Sequence, residues 1–244
     1  MKKQLAPGAL LSPVPAVLVS CGTVENPNVL TIAWAGTVCT HPPMVSISVR
    51  PGRFSYPIIK ETGEFVINLP SVSMAHTVDF CGVKSGKDID KFAQCNLTPI
   101  SAPLVSAPAI KECLVSFSCK VKSITPLGTH DLFLAEIVGI EVDESLIEEN
   151  GRLALERADL LAYAHGEYFS LGRKVGSFGF SVRKKPIEKP AKQNPKETES
   201  SHKTEKKSYK GSKYKSAKHS KKKFSKKNSA KRPGKLKSGH SEGK

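Results

Sequence analysis

The sequence lacks the short motifs that mark the common nucleotide-binding and hydrolytic sites. No GxxxxGK[ST], HExxH or GxSxG pattern occurs, and Gly172, Gly176 and Gly179 do not have the GxGxxG spacing after a strand. No run approaches the roughly 20 apolar residues that span a bilayer. These absences argue against a P-loop, a zinc protease, a serine-hydrolase elbow, a dinucleotide loop and a membrane span.

Metal and disulfide signals are also absent. The cysteines form no CxxC pair and have no histidine at zinc-ligand spacing, so we predict no metal site. On one predicted strand, Cys113 and Cys119 would lie about 20 Å apart at roughly 3.3 Å per residue, beyond the reach of a disulfide. The sequence therefore predicts reduced thiols and a cytoplasmic protein, with all six used as small core residues: Cys21, Cys39, Cys81, Cys95, Cys113 and Cys119.

The amino terminus offers one competing interpretation. Met1-Lys2-Lys3, an apolar stretch and a cysteine at position 21 are typical of a bacterial lipoprotein signal. Three prolines interrupt that stretch, and residues 14–19 equally fit a first buried strand. We favour the strand.

Positive charge is concentrated at the carboxyl end. The net charge is +16, but residues 184–244 hold 22 of the 38 Lys and Arg and only 5 of the 22 Asp and Glu. Residues 1–183 are thus nearly neutral, with 16 basic and 17 acidic residues. We predict a domain over residues 1–183 and a disordered basic tail over 184–244, because the tail has too few apolar residues to offset the entropy of ordering.

The first 183 residues are predicted to be mainly β. Alternating or continuous apolar patterns predict strands at 14–20, 29–33, 44–49, 64–69, 113–122 and 130–142, the last two joined as a hairpin. A turn is predicted at 26–28, a helix at 56–62 between a Ser55 N-cap and Gly63, and helical turns at 74–80 and within 145–157. Many strands with frequent turns favour an antiparallel barrel or sandwich.

Several segments, in order, resemble a known family. They are residues 28–34, 40–43, 50–56 and 64–70, followed by 90–92, 130–131, 168–172 and 176–179. With these segments, residues 7–183 resemble the flavin-reductase-like FMN-binding split-barrel family, most closely its flavoredoxin branch. The resemblance implies a six-stranded antiparallel split barrel with a few short helices, a homodimer, and FMN bound at or near the subunit interface.

The resemblance also implies which residues meet the cofactor. Those surrounding the flavin would be Asn28, Trp34, Ser55, Lys91, His130 and Tyr163. Those along the adjoining loop would be Thr31, Ala33, Ala35, Gly36 and Thr37, and the phosphate turn would comprise Arg50, Arg53, Ser55 and Tyr56. Ser55 often corresponds to Thr and Tyr163 to Phe in related sequences.

The chemistry of these residues fits FMN, although each has a plainer interpretation. Arg50 and Arg53 can form charge-assisted bonds to phosphate, or they can be solvated surface residues. Trp34, the only tryptophan, can contact a flavin ring or fill the core.

Two further residues have similarly divided interpretations. Lys91 can place positive charge near the pyrimidine end of the flavin and raise its potential, or it can be a surface lysine. His130, the candidate catalytic residue, can donate to or gate the flavin N5, or it can be a turn residue at the start of a strand.

The tail interleaves aromatic residues with lysines around Tyr209, Tyr214 and Phe224. This pattern suits weak binding of single-stranded nucleic acid, and it equally suits a solubilising tail that meets anionic surfaces without specificity.

Three functions remain open from the sequence. The first is a flavin reductase that reduces FMN, with NADH or NADPH as donor, and passes electrons to a protein or small-molecule acceptor. The second is a flavoredoxin-type carrier with permanently bound FMN. The third is a nucleic-acid-binding module that acts through its tail.

Overall fold

Antiparallel strands provide most of the regular structure. The structure is a computed structural model that describes residues 1–183, of which Met1–Val182 form one unit. Its strands are β1 (Val14–Pro15), β2 (Val17–Gly22), β3 (Pro27–Ile32), β4 (Ala35–Thr40), β5 (Pro43–Val49), β6 (Glu64–Leu69), β7 (Pro99–Ile100), β8 (Ala109–Ile110), β9 (Val115–Pro126), β10 (Asp131–Val142), β11 (Leu161–Ala164) and β12 (Glu167–Ser170). The helices are α1 (Ser55–Thr62), α2 (Ala75–Val83) and α3 (Lys91–Gln94), with short 3-10 turns between strands. The predictions for residues 184–244 lie outside the described residues.

The main sheet closes into a barrel. Its strand order is β3-β2-β6-β9-β10-β5-β4, so β3 and β4 lie at opposite ends of the order. These two strands are consecutive in the chain and only Ala33 and Trp34 separate them. The Ser48 N–H donates to the Trp34 carbonyl at 3.0 Å, which continues the pairing through the bend. Counting β3 and β4 as one bent strand gives the six-stranded antiparallel split barrel that the sequence analysis predicts.

Strand β2 is buried on both faces of the sheet, which explains its apolar sequence. Val17, Val19 and Cys21 point into the core inside the barrel, beside residues such as Phe65 and Phe133. Leu18 packs on the opposite face, in a second core that α2 and α3 cover. A strand covered on both faces reads as a continuous apolar run, which is the pattern of residues 14–19.

Most predicted strands are confirmed. The segment 64–69 coincides with β6, 44–49 lies within β5, and β9 and β10 pair as the predicted antiparallel hairpin. Three details are wrong. The turn precedes the predicted 26–28, because Thr23 N–H bonds to the Asn26 carbonyl and β3 already begins at Pro27. Cys113 lies in a turn before β9. All six cysteines are free thiols, but Cys39 and Cys95 are only partly buried, so four of the six and not all of them are core residues.

Helix α1 begins differently from the prediction. Gly63 ends it in the left-handed conformation, as expected, with φ of 68°. The residue before the helix is Phe54, however, and Ser55 is the first helical residue. The Ser55 hydroxyl accepts a hydrogen bond from Asn28 Nδ2 at 2.6 Å and is not a cap. Tertiary packing, which the local pattern does not report, fixes this helix start.

The middle of the chain also departs from the predicted bounds. The predicted helical turn at 74–80 is the longer α2, Ala75–Val83, and α3 follows it at Lys91–Gln94. Within residues 1–183, no helix is both long enough and apolar enough to cross a membrane.

Candidate functional site

The register of the barrel brings Arg50 and His130 together. Asp131, at the start of β10, pairs with Val49, at the end of β5. In antiparallel pairing the residue before one partner lies beside the residue after the other, so His130 is adjacent to Arg50. Arg50 Nε lies 3.4 Å from His130 Nε2. Residues that are 80 positions apart in sequence therefore form one polar cluster.

Trp34 completes this cluster from the bend between β3 and β4. Its ring centroid lies 4.6 Å from that of His130, with an angle of 52° between the planes. The side chain is 45% exposed, so Trp34 is not a core residue. A large aromatic ring left open to a cavity beside cationic groups is suited to contact a flat ligand.

A cavity of about 840 Å³ opens beside these residues. Its volume lies within the range of about 300–1,000 Å³ that is usual for small-molecule sites. The predicted site residues that line it are Thr31, Ala33, Trp34, Arg50, Arg53, His130 and Tyr163. Ala35 and Gly36 line a smaller cavity of about 280 Å³ that shares Trp34 with the first.

The two arginines give the cavity a cationic end. Arg53 follows Arg50 through a tight turn in which the Arg53 N–H bonds to the Arg50 carbonyl at 3.0 Å. Neither guanidinium forms a salt bridge with a carboxylate among residues 1–183. Two guanidinium groups without such partners on one cavity wall are available to an anion such as a phosphate.

His130 lies in the field of these arginines. Partial burial, together with the positive charges of Arg50 and Arg53, lowers the pKa of the imidazole. Its Nδ1 lies 2.9 Å from the Thr129 hydroxyl oxygen. Both ring nitrogens thus have partners in the chain.

The remaining predicted site residues do not line either cavity. Asn28 and Ser55 are buried and bonded to each other, and Thr37 pairs with Val45 in the sheet. The Tyr56 hydroxyl donates to Asp131 Oδ2 at 2.6 Å, and its ring packs edge-on against Phe133. The hydrogen bond to Asp131 raises the pKa of Tyr56.

Lys91 is buried and 5% exposed, which excludes the interpretation as a surface lysine. Its Nζ donates to the carbonyl oxygens of Val29 at 2.8 Å and Cys81 at 2.9 Å. Burial lowers the pKa of this ammonium group. Its hydrogen bonds thus join α2, α3 and β3, and its side chain does not line the cavity.

A further part of the cavity lining was not predicted from the sequence. Asp79, Gly82 and Val83 of α2 form it, together with Tyr168 and the turn His165-Gly166. The Tyr168 hydroxyl donates to Asp79 Oδ1 at 3.3 Å, and burial and Asp79 raise the pKa of Tyr168 to about 12.

A signal for some of these residues is present in the sequence. His165 and Gly166 form a two-residue turn between β11 and β12, with φ of 51° and 90°. A residue followed by Gly between two short β patterns predicts such a hairpin. The amino-terminal residues Ala9, Leu11 and Ser12 also line the cavity, and no local pattern marks them.

No group of three or more His, Cys, Asp or Glu side chains within residues 1–183 is placed to hold a metal ion.

The fold and the site together define a split-barrel protein with an open cavity that is cationic at one end and has an exposed aromatic wall. Comparison with known proteins gives the same class. Residues 10–172 match the flavin reductase like domain, and the chain belongs to that family.

Within this family, the chain is similar to flavoredoxins of known structure and to an FMN reductase. The flavoredoxin of Desulfovibrio vulgaris (Miyazaki F) is 31% identical, and the match covers 75% of this chain and 100% of that one with a TM-score of 0.70. The flavoredoxin from Methanosarcina acetivorans is 25% identical with the same coverage and a TM-score of 0.68. The FMN reductase (NADH) RutF of Enterobacter cloacae subsp. cloacae is 26% identical over 109 residues, which are 43% of this chain and 64% of that protein.

Proposed function

We propose that this chain binds FMN in the larger cavity, with the phosphate at Arg50 and Arg53 and the ring near Trp34. The observation that carries this proposal is the pair of guanidinium groups without salt bridges to the described carboxylates, on the wall of an 840 Å³ cavity that also exposes Trp34. The donors suit a phosphate monoester and the indole suits a flat ring, so the residues present fit the cofactor.

The activity that we infer is that of a flavin reductase. Bound FMN would supply a ring that takes up two electrons from NADH or NADPH and passes them to a small-molecule or protein acceptor. The chain's own residues would hold the phosphate, cover one side of the ring and limit access of water. Membership of the flavin reductase like family and the similarity to an FMN reductase (NADH) support this activity.

A second candidate is a flavoredoxin-type electron carrier in which FMN stays bound and exchanges electrons with protein partners. It is favoured by the match to a flavoredoxin over that protein's whole length. Both candidates use the same cavity and differ in whether a reduced nicotinamide reacts directly with the flavin.

An absorbance spectrum followed by anaerobic titration tests both candidates. Full-length protein loaded with FMN should be yellow. Rapid bleaching by NADH or NADPH would identify a reductase, whereas bleaching by dithionite alone would identify a carrier. Protein that stays colourless after incubation with excess FMN would contradict both.

We also propose that the protein is a homodimer. The segment after β12 exposes a series of apolar side chains, and exposed apolar segments of this kind commonly mark protein interfaces. They are Leu171, Val175, Phe178, Phe180 and Val182. Light scattering should give twice the chain mass, and Val175→Glu/Phe178→Glu should give a monomer. A monomeric mass for the unmodified chain would contradict the proposal.

A further inference from the structure

The two contacts of the His130 ring fix its tautomer. A guanidinium group carries donors and no acceptor, so the Arg50 Nε–H must point at a lone pair on His130 Nε2. The proton of the neutral ring therefore lies on Nδ1, which donates to the Thr129 hydroxyl oxygen at 2.9 Å. In this arrangement Nε2 is the only ring nitrogen that can take up a further proton.

The charges around the ring oppose that protonation in the free protein. Arg50 follows β5 and Arg53 precedes α1, and both lower the pKa of His130 in addition to burial. Asp131 follows His130 directly, but its carboxylate accepts the hydrogen bond of Tyr56. The other ionisable groups that line the cavity are Asp79 of α2, Tyr163 of β11, His165 of the β11–β12 turn and Tyr168 of β12.

An anion bound between the arginines would instead favour protonation of His130. A dianion within about 4–6 Å of an imidazole favours its charged form. It would also attract the Arg50 Nε–H away from His130 Nε2, which leaves that nitrogen facing the anion with a free lone pair.

We propose that His130 couples phosphate binding to the uptake of one proton. When a phosphate monoester dianion binds to Arg50 and Arg53, Nε2 of His130 takes a proton from solvent and donates a further hydrogen bond to the anion. Thr129 is the positioning residue, because it holds Nδ1–H in place and leaves Nε2 as the nitrogen that titrates. This inference rests on the proposed FMN site and adds to it the protonation of His130 when the phosphate binds.

The coupling has a defined sign. Phosphate binding raises the pKa of His130, so the added affinity is complete at pH values below the pKa of the free protein. It is lost as the pH rises through the higher pKa of the complex. A rise of one pKa unit corresponds to an affinity about tenfold higher at the acid limit than at the alkaline limit.

The test compares FMN with riboflavin, which lacks the phosphate, on the full-length protein. Nitrogen-15 NMR of the imidazole groups should show His130 as the Nδ1–H tautomer in the free protein. FMN should raise its pKa by about one unit, and riboflavin should leave it unchanged. A tight FMN complex with an unshifted His130, or an equal shift with riboflavin, would overturn the inference. Failure to form an FMN complex would instead contradict the proposed function.

Thr129 variants test the positioning role. Thr129→Val removes the acceptor of Nδ1–H and leaves the Arg50 contact alone to favour the Nδ1–H tautomer, so a fraction of the Nε2–H tautomer should appear. Thr129→Ser should keep the Nδ1–H tautomer. If Thr129→Val keeps the tautomer of the unmodified protein, Thr129 has no positioning role.

The second ionisation of the FMN phosphate also titrates, near pH 6, so affinity profiles need a reference. His130→Gln keeps the phosphate titration and removes that of the imidazole. The ratio of the two Kd values across pH should change about tenfold. A constant ratio would contradict the coupling.

Discussion

The cationic end of the cavity and the buried site of Lys91 use positive charge in opposite ways. Arg50 and Arg53 line the cavity and form no salt bridge with a carboxylate of residues 1–183. Lys91 is 5% exposed and donates to two backbone carbonyl oxygens. Both sets were predicted from the family resemblance to meet the flavin, but only the arginines line the cavity.

This difference separates a cation that is available to a ligand from a structural one. A lysine whose donors are bonded to Val29 and Cys81 stabilises the packing of α2 and α3 against β3. Arg53 and the terminal nitrogens of Arg50, by contrast, form no salt bridge with a carboxylate of residues 1–183 and keep donors for an anion. Removing each charge and measuring FMN affinity and the stability of the fold separately tests this difference.

The largest expected effect is on FMN affinity. Each charge-assisted hydrogen bond contributes about 1.5–3 kcal/mol, so Arg50→Ala/Arg53→Ala should raise the Kd for FMN by at least a hundredfold. Fluorescence titration with FMN measures this Kd. Riboflavin affinity should fall much less, because riboflavin has no phosphate.

Arg152→Ala/Arg157→Ala is the matched control, since it removes two arginines that pair with Glu148 at the surface. Its FMN affinity should remain close to that of the unmodified protein. Equal losses in the two double variants would show that net charge, and not the position of Arg50 and Arg53, governs binding.

The next effect is on stability. Lys91→Met leaves two buried carbonyl groups without their donor, at a cost of about 2 kcal/mol. For a domain of this size the Tm should fall by about 4–8 °C, with a smaller change in FMN affinity than in the arginine variant.

Lys87→Met makes the same substitution at an exposed residue and should leave the Tm unchanged. If Lys91→Met keeps its Tm and changes the midpoint potential of bound FMN, Lys91 acts on the flavin as the resemblance implies.

Much of the barrel was predictable because its pattern is local. In the strand predicted at 44–49, Val45, Ile47 and Val49 alternate with serines, and all three are buried. In β9, Ser116 and Ser118 lie on the face opposite the alternating apolar residues, yet they are buried too, at 5% and 1% exposed. Residues such as Ala107 and Ala109 pack near that face of the sheet, and no pattern within β9 reports such long-range cover.

The site was predictable in part for the same reason. Arg50 and Arg53 belong to one turn, so their spacing carries the signal. Asp79 and Tyr168 are 89 residues apart and meet only through the packing of α2 against β12. The burial of Lys91 likewise depends on β3, which is distant in sequence.

The smallest expected effect on the cavity comes from deletion of residues 184–244. Among residues 1–183, those that line the cavity lie between Ala9 and Tyr168, and the family match ends at residue 172. At 0.15 M ionic strength, salt weakens interactions between solvent-exposed charges. The deletion should therefore change the Kd for FMN by less than about twofold at that ionic strength, despite the loss of a net charge of +17.

The same deletion tests whether binding of nucleic acid belongs to the tail or to the barrel. Binding to single-stranded RNA, if it depends on the tail, should weaken with rising salt in the full chain and disappear in the deletion variant. RNA binding that survives the deletion would assign it to the barrel and contradict a tail-based site. A large loss of FMN affinity on deletion would mean that Arg50 and Arg53 do not account for phosphate binding, because a cation of the tail would then have to contribute.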